Sequence, residues 1–314
     1  MTQYGVDLIT FYDPAYWGVD TFEDIEAIRR RDPARIWEGI FDGLEQAGVE
    51  LMETTFGPGG RESALQAFGS ASAFRDAAAA RGLGLTSVFH LGLDWVSGQR
   101  SIDEIVADAV TDARFAAEAG GDTLVVGPPM RTSWDDPDRT FVDLAFAQRF
   151  ADVAHRVGAA TLELGVKTAI HTEAHSTFCT PRDIDLILGA LDPYYVFFCP
   201  DTAHITLAGG DPVEVVARHS ERVATAHWKD ATGPQTPYLP IDEHVHLSHR
   251  EHMATLGTGV VDWDAFADVY ERTAVRDVRL LELDAVPDPV SAMVAGRTFL
   301  EARDASAAPV ASAA

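Results

Sequence analysis

Four short stretches carry residues that could do chemistry together: "AIHTEAHSTF" (169–178), "CPDTAH" (199–204), "AHWKDA" (226–231) and "LLELDAV" (280–286). Each starts apolar and ends in ionisable side chains. In the first, His171, Glu173 and His175 share one parity, so they point to one side if the chain stays extended. In the second, Asp201 follows a proline and His204 comes three residues later. In the third, His227 and Lys229 share parity, with Asp230 beside them. In the fourth, Glu282 and Asp284 share parity. Taken singly, Asp201 reads as a turn or helix cap, Glu282 as half of an ion pair and His227 as a satisfied strand-end histidine. Taken jointly they form a set: Glu173, Asp201, His227 and Glu282. Three carboxylates crowded without a counter-charge repel one another, and a divalent cation resolves the repulsion. Carboxylate and imidazole donors without thiolate suit Mn²⁺ foremost, with Mg²⁺, Co²⁺ and Zn²⁺ as alternatives.

Such a set needs strands that end side by side. Short β-branched or apolar runs recur at 4–10, 48–54, 83–90, 122–127, 165–172, 194–199, 222–229 and 278–284. Helical patterns lie between them. Segment 32–48 starts Asp-Pro and ends at Gly48, a cap, a first-turn proline and a terminating glycine. Segment 101–121 starts Ser-x-x-Glu, a capping box, and stops on glycines. Segments 180–192 and 211–220 repeat the polar-Pro start. Eight βα units predict a single-domain (β/α)8 TIM barrel over residues 1–303, because parallel strands need helical crossovers. The first βα turn lacks the Gly-rich signature of a doubly wound sheet. In a barrel the site lies at the C-terminal strand ends, where the four stretches stop. Glu53 and His90 end the second and third strands at the same rim. The small-residue tail, 304–314, is expected to be disordered.

Bulk properties narrow the function. The chain of 314 residues has 24 Lys+Arg against 49 Asp+Glu, a formal net charge of −25. That field opposes nucleic-acid and anionic membrane surfaces. The two cysteines, Cys179 and Cys199, form no CxxC pair, which excludes a thiolate zinc cluster and fits a reducing compartment. No signal-like start and no membrane-length apolar run is visible, so a cytoplasmic enzyme is expected.

The pattern E-x-H, D-T-x-H, H-x-K-D and E-x-D after strands five to eight resembles the xylose isomerase-like TIM barrels. These include sugar phosphate isomerases/epimerases and inosose dehydratases. "LGTGVVDWDAF" (256–266) is similar to that family's segment after strand seven. The resemblance implies one divalent metal on Glu173, Asp201, His227 and Glu282. It implies Glu173 and Glu282 as bases on opposite faces of a sugar, with His175 a further base candidate. His204 and Lys229 would contact substrate, and Glu53 and His90 are added to that group. The implied chemistry is removal of a proton beside a carbonyl, followed by isomerisation, epimerisation or β-elimination.

The segment 230–259 departs from a plain epimerase: it is long and carries His244, His246, His249 and His252. A loop of this length is a lid, a binding loop or an interface, or else a solvated polar loop. His171 and His175 around Glu173 resemble the strand-five end of inosose dehydratases. Catalytic subunits of C-glycoside deglycosidases belong to the same superfamily. A lyase acting on an oxo-sugar or oxo-glycoside is therefore expected ahead of an isomerase, in an oligomer or beside a second small subunit. Two other readings remain. An AP endonuclease-like enzyme would hold three zinc ions, adding His204, Asp242 and His244 to the ligands, and the charge opposes it. A non-catalytic barrel would leave the rim carboxylates without a cation, and their mutual repulsion opposes it.

Overall fold

The computed structural model describes residues 2–307. Its barrel strands are β1 (Gln3–Asp7), β2 (Leu51–Thr54), β3 (Gly84–His90), β4 (Thr123–Val126), β5 (Lys167–His171), β6 (Val196–Cys199), β7 (His227–Trp228) and β10 (Val278–Leu281). They form one parallel sheet in the order β6-β5-β4-β3-β2-β1-β10-β7. Parallel bridges from Phe198 to Val223 and from Asp201 to His227 join its two ends. This is the expected (β/α)8 barrel. Among the described residues no helix is long and apolar enough to cross a membrane.

The helix signals act as their chemistry requires. Asp32 caps Pro33–Ala47, and Gly48 ends it in the left-handed conformation at φ 65°. Ser101 and Glu104 close a reciprocal capping box on Ile102–Ala119. Thr180 and Asp211 cap the helices Pro181–Ala190 and Pro212–His219. The last helix runs Pro289–Ala307, so it takes up residues 304–307 of the expected tail. Residues 308–314 lie outside the described residues.

Each barrel strand is shorter than its apolar run, and β7 is shortened most. β1 stops at Asp7 because its carboxylate accepts the Ile9 amide at 2.6 Å and starts a 3-10 turn. β7 is only His227–Trp228, while Arg222 sits in a 3-10 turn and donates to the Leu188 and Val196 carbonyls. The segment 230–259 is not structureless. β8 (Asp230–Ala231) and β9 (Met253–Ala254) pair antiparallel, and a short helix, Val245–Arg250, lies between them.

Inside the barrel the packing layer is made of Val125, Ala169, Cys199 and Ala224, with Phe89 and Phe197 against it. The larger core lies between sheet and helices. One helix approaches the sheet so closely that a Cβ at Gly158 would overlap the Tyr195 carbonyl. We expect Gly158→Ala to cost about 3 kcal/mol, since overpacked backbone has no side chain to move aside. Thermal melting measures it, and an unchanged midpoint would contradict the close approach.

Candidate active site at the barrel mouth

The site's floor is built by the last four barrel strands. His171 ends β5 and packs edge-on to Phe89, at 5.5 Å between ring centroids. Asp201 follows β6 and divides its carboxylate. Oδ1 caps the helix Thr202–Leu207 by accepting the His204 amide at 2.8 Å. Oδ2 is buried without a hydrogen-bond partner. The cap reading of Asp201 is thus realised on Oδ1, while Oδ2 is left available for a ligand role.

His227 Nδ1 lies 2.6 Å from Glu282 Oε2, 3.1 Å from His171 Nε2 and 3.9 Å from Asp201 Oδ2. His171 Nε2 is 3.7 Å from Asp201 Oδ2. One ligand atom from each of these four residues falls within 4.8 Å of the others, and all four residues are buried. The donor set fits a divalent cation: two imidazoles and two carboxylates, one with an orphaned oxygen. Cys199 adds no thiolate, because burial pushes its thiol up to about 11.

The expected set is brought together in part. Asp201, His227 and Glu282 converge, but the strand-five member is His171, not Glu173. The reason is local. Parity holds only while the strand is extended, and β5 ends at His171. Beyond it the chain turns, with the Ser176 amide donating to the Glu173 carbonyl. The signal for His171 was present, as it shares parity with the inward-facing Ala169.

Glu53 stands beneath the floor rather than in the cavity. It is fully buried, 3.0 Å from His227 Nε2, and accepts a short hydrogen bond from the Ser87 hydroxyl. Glu53 Oε1 and His227 Nε2 are both buried without hydrogen-bond geometry, so the carboxylate supports the far side of the ring as a close charge, the place where metal-binding histidines carry their support. Asp7 lies beside it, and burial together with Glu53 holds the Asp7 carboxyl well above its ordinary range.

A cavity of about 430 Å³ opens above the floor, lined by His171, Glu173, His204, Lys229, Glu282 and Asp284 among others. Lys229 Nζ lies 2.5 Å from Glu282 Oε1 and 2.7 Å from Asp284 Oδ1. Burial opposes its charge, but Asp284 and Glu282 outweigh burial and raise its pKa well above normal. His204 Nδ1 accepts the Ala174 amide at 3.2 Å, and burial lowers this imidazole to about 3. It is therefore neutral, with Nε2 3.5 Å from the Lys229 ammonium.

Glu173 faces the segment 230–259, whose helix Val245–Arg250 lines one side of the cavity and forms its lid. Its Oε1 is 3.6 Å from His204 Nδ1 and 3.4 Å from both His246 Nδ1 and His249 Nδ1. Burial favours its neutral form, but these imidazoles hold its pKa well below the usual range. His246 and His249 thus belong to the site, and among the described residues only their position on a folded lid reveals it. His175 has both nitrogens engaged, with His249 at 3.0 Å and the Thr236 carbonyl at 3.2 Å. It props the lid and does not line the cavity. His90 also lies elsewhere. Ser87 and Phe89 face inward, so the next residue faces the helices, and His90 Nδ1 meets Asp112 at 2.6 Å. Asp242 and His244 are exposed, Asp242 accepts the His244 amide at 2.8 Å, and among the described residues the His244 ring reaches Glu243 at 3.9 Å. They bring no ligand to the three-zinc arrangement.

The sequence profile of the xylose isomerase-like TIM barrel matches residues 41–303. The chain belongs to that family. Inosose dehydratase of Geobacillus kaustophilus (strain HTA426) is 34% identical over 83 residues, 26% of this chain and 27% of that protein. The Lacticaseibacillus casei inosose dehydratase is 23% identical over 169 residues, 49% of this chain and 54% of that protein. The chain therefore spans between about a quarter and about a half of these relatives' length. Among solved structures, a probable 3-DHS dehydratase, AsbF of Bacillus anthracis, superposes with a TM-score of 0.69 at 15% identity, over 95% of this chain and 98% of that one. The IolI protein with a binding zinc atom gives 0.70 at 13% identity, over 98% and 99%. At these identities the likeness is one of fold.

Proposed function

We propose that this family member is a metal-dependent carbohydrate-processing enzyme that takes a proton from beside the carbonyl of an oxo-sugar or oxo-glycoside and then eliminates a β-substituent. The observation that carries the reading is the convergence of His171, Asp201, His227 and Glu282 beneath a cavity flanked by an ionised carboxylate and a charged lysine. The dehydratase names among its relatives support a lyase, and the zinc-binding IolI protein supports a metal.

His171, Asp201, His227 and Glu282 would hold the cation. When bound there, a divalent ion supplies Lewis-acid stabilisation of the negative charge that develops as an α-proton leaves. With two imidazoles in the set, Co²⁺ and Zn²⁺ become as suitable as Mn²⁺. The chain's own groups do the rest. Glu173 is ionised, and its Oε2 is turned from the lid, so it accepts the proton. His204 orients a substrate oxygen. Lys229, fixed by Glu282 and Asp284, donates to the oxygen that departs. Isomerisation or epimerisation uses the same first step and differs only in where the proton returns.

NMR in D₂O with added Mn²⁺, Co²⁺ or Zn²⁺ and a panel of oxo-sugars and oxo-glycosides tests this. Deuterium is expected next to the carbonyl, with release of the β-group. Exchange without release points to an isomerase or epimerase, and no exchange on any substrate overturns the reading. Glu53→Gln should weaken metal binding about 10- to 100-fold, the usual cost of losing such a support. Competition with a chromogenic chelator reads it, and unchanged affinity would remove Glu53 from that role.

A further inference from the structure

We propose that Glu173, His246 and His249 form a second divalent-metal site, shared between the barrel and its lid helix. It is separate from the set on the floor and does not require that set to be filled.

The first ground is spacing. Glu173 Oε1 is 3.4 Å from His246 Nδ1 and 3.4 Å from His249 Nδ1, and the three ligand atoms lie within 4.8 Å of one another. Bonds of about 2 Å at a tetrahedral zinc put neighbouring ligand atoms roughly 3.3 Å apart. A charge-assisted hydrogen bond would draw nitrogen and oxygen to about 2.8 Å. Both carboxylate–imidazole separations thus match those of ligands around an ion, and the two imidazoles lie within 4.8 Å of each other.

The second ground is the direction of the lone pairs. His175 Nε2 lies 3.2 Å from the Thr236 carbonyl, which can only accept, so that nitrogen carries the hydrogen. In the neutral ring Nδ1 then accepts, and its partner at 3.0 Å is His249 Nε2. His249 therefore donates from Nε2 to His175, and Nδ1 is the nitrogen it turns towards Glu173. A metal ion between Nδ1 and the carboxylate would take the place of the proton that otherwise joins them. The His175 contact also fixes the ring, as hydrogen bonds behind metal-bound histidines do.

His204 is not a ligand, because its Nδ1 already accepts the Ala174 amide. Two imidazoles and one carboxylate remain, a set suited to Zn²⁺ with its fourth position open. The His246 side chain is 62% exposed, so that position faces solvent and the cavity. His246 and His249 stand three apart on Val245–Arg250, one face of a single helix. Glu173 belongs to the barrel. An ion here ties the lid to the barrel across the cavity entrance, and Glu173 Oε2 stays free toward the floor, 3.6 Å from His171 Nδ1.

The test is Zn²⁺ stoichiometry on chelator-stripped full-length protein, by equilibrium dialysis with elemental analysis. Wild type should take two equivalents. The double variant His246→Ala/His249→Ala should keep one, with the lost equivalent weakened more than 100-fold. Asp201→Asn should lose the other equivalent and keep the lid's. One wild-type equivalent that vanishes in Asp201→Asn but survives the lid variant would overturn the second site and leave the floor site standing. One that vanishes only in the lid variant would support the lid site and sink the metal in the proposed function. Two equivalents that persist in Glu173→Gln would mean that lid histidines chelate alone, which overturns the shared site. No binding at all overturns both.

Discussion

Asp201→Asn should abolish turnover, by on the order of 10³-fold or more, while leaving the fold in place. The two oxygens of this residue have different duties, and that makes the outcome sharp. Oδ1 caps the helix Thr202–Leu207 through the His204 amide. Asparagine caps as well as aspartate, so stability should change by only a few tenths of a kcal/mol. Oδ2 is buried, has no hydrogen-bond partner and faces His171 and His227. Asparagine replaces either its charge or its lone pairs, and one cation ligand is lost with a formal negative charge. Elemental analysis and single-turnover assays read the loss, and circular dichroism melting checks the fold. Full turnover in a well-folded Asp201→Asn protein would sink the floor-site assignment.

Asp230→Ala should cost about 3–5 kcal/mol of stability, or roughly 5–8 °C in melting midpoint for a chain of this size. Asp230 ends the H-x-K-D stretch yet takes no part in the site. Its carboxylate accepts the amides of Ala231 at 2.9 Å, Gly257 at 2.9 Å, Gly259 at 3.0 Å and Val261 at 3.4 Å, and the Trp263 indole at 3.0 Å. This explains the "LGTGVVDWDAF" stretch. Gly259 is glycine because a Cβ would overlap Asp230 Oδ1 and the Ala231 carbonyl. Alanine leaves these donors buried and unpaired, each a desolvation loss. The same hub closes the base of the lid, so proteolysis within 230–259 should quicken. Asp230→Asn keeps one acceptor oxygen and should fall between the two. A midpoint within 1 °C of wild type in Asp230→Ala would contradict the hub.

The sequence by itself determined the architecture and its rim. Capping residues such as Asp32 and Ser101, and terminators such as Gly48, act within a turn of themselves, so no tertiary contact is needed to read them. The alternation of apolar runs with these helices leaves a parallel barrel as the arrangement that buries both faces. That placed Asp201, His227 and Glu282 at one mouth. What the sequence left undecided depends on where pairing stops. Glu173 and His171 share parity, but only His171 is still in the strand, so only it points to the floor. His90 lies one residue past the inward Phe89 and therefore faces Asp112 among the helices. Glu53 does face inward, but a layer too deep for substrate. The lid histidines lie more than seventy residues from Glu173, and no local rule brings them to it. Only the folded hairpin and helix of 230–259, anchored on Asp230, set His246 and His249 over that carboxylate. Strand register and lid docking are long-range packing outcomes, and they decided which of the many rim carboxylates and imidazoles could meet.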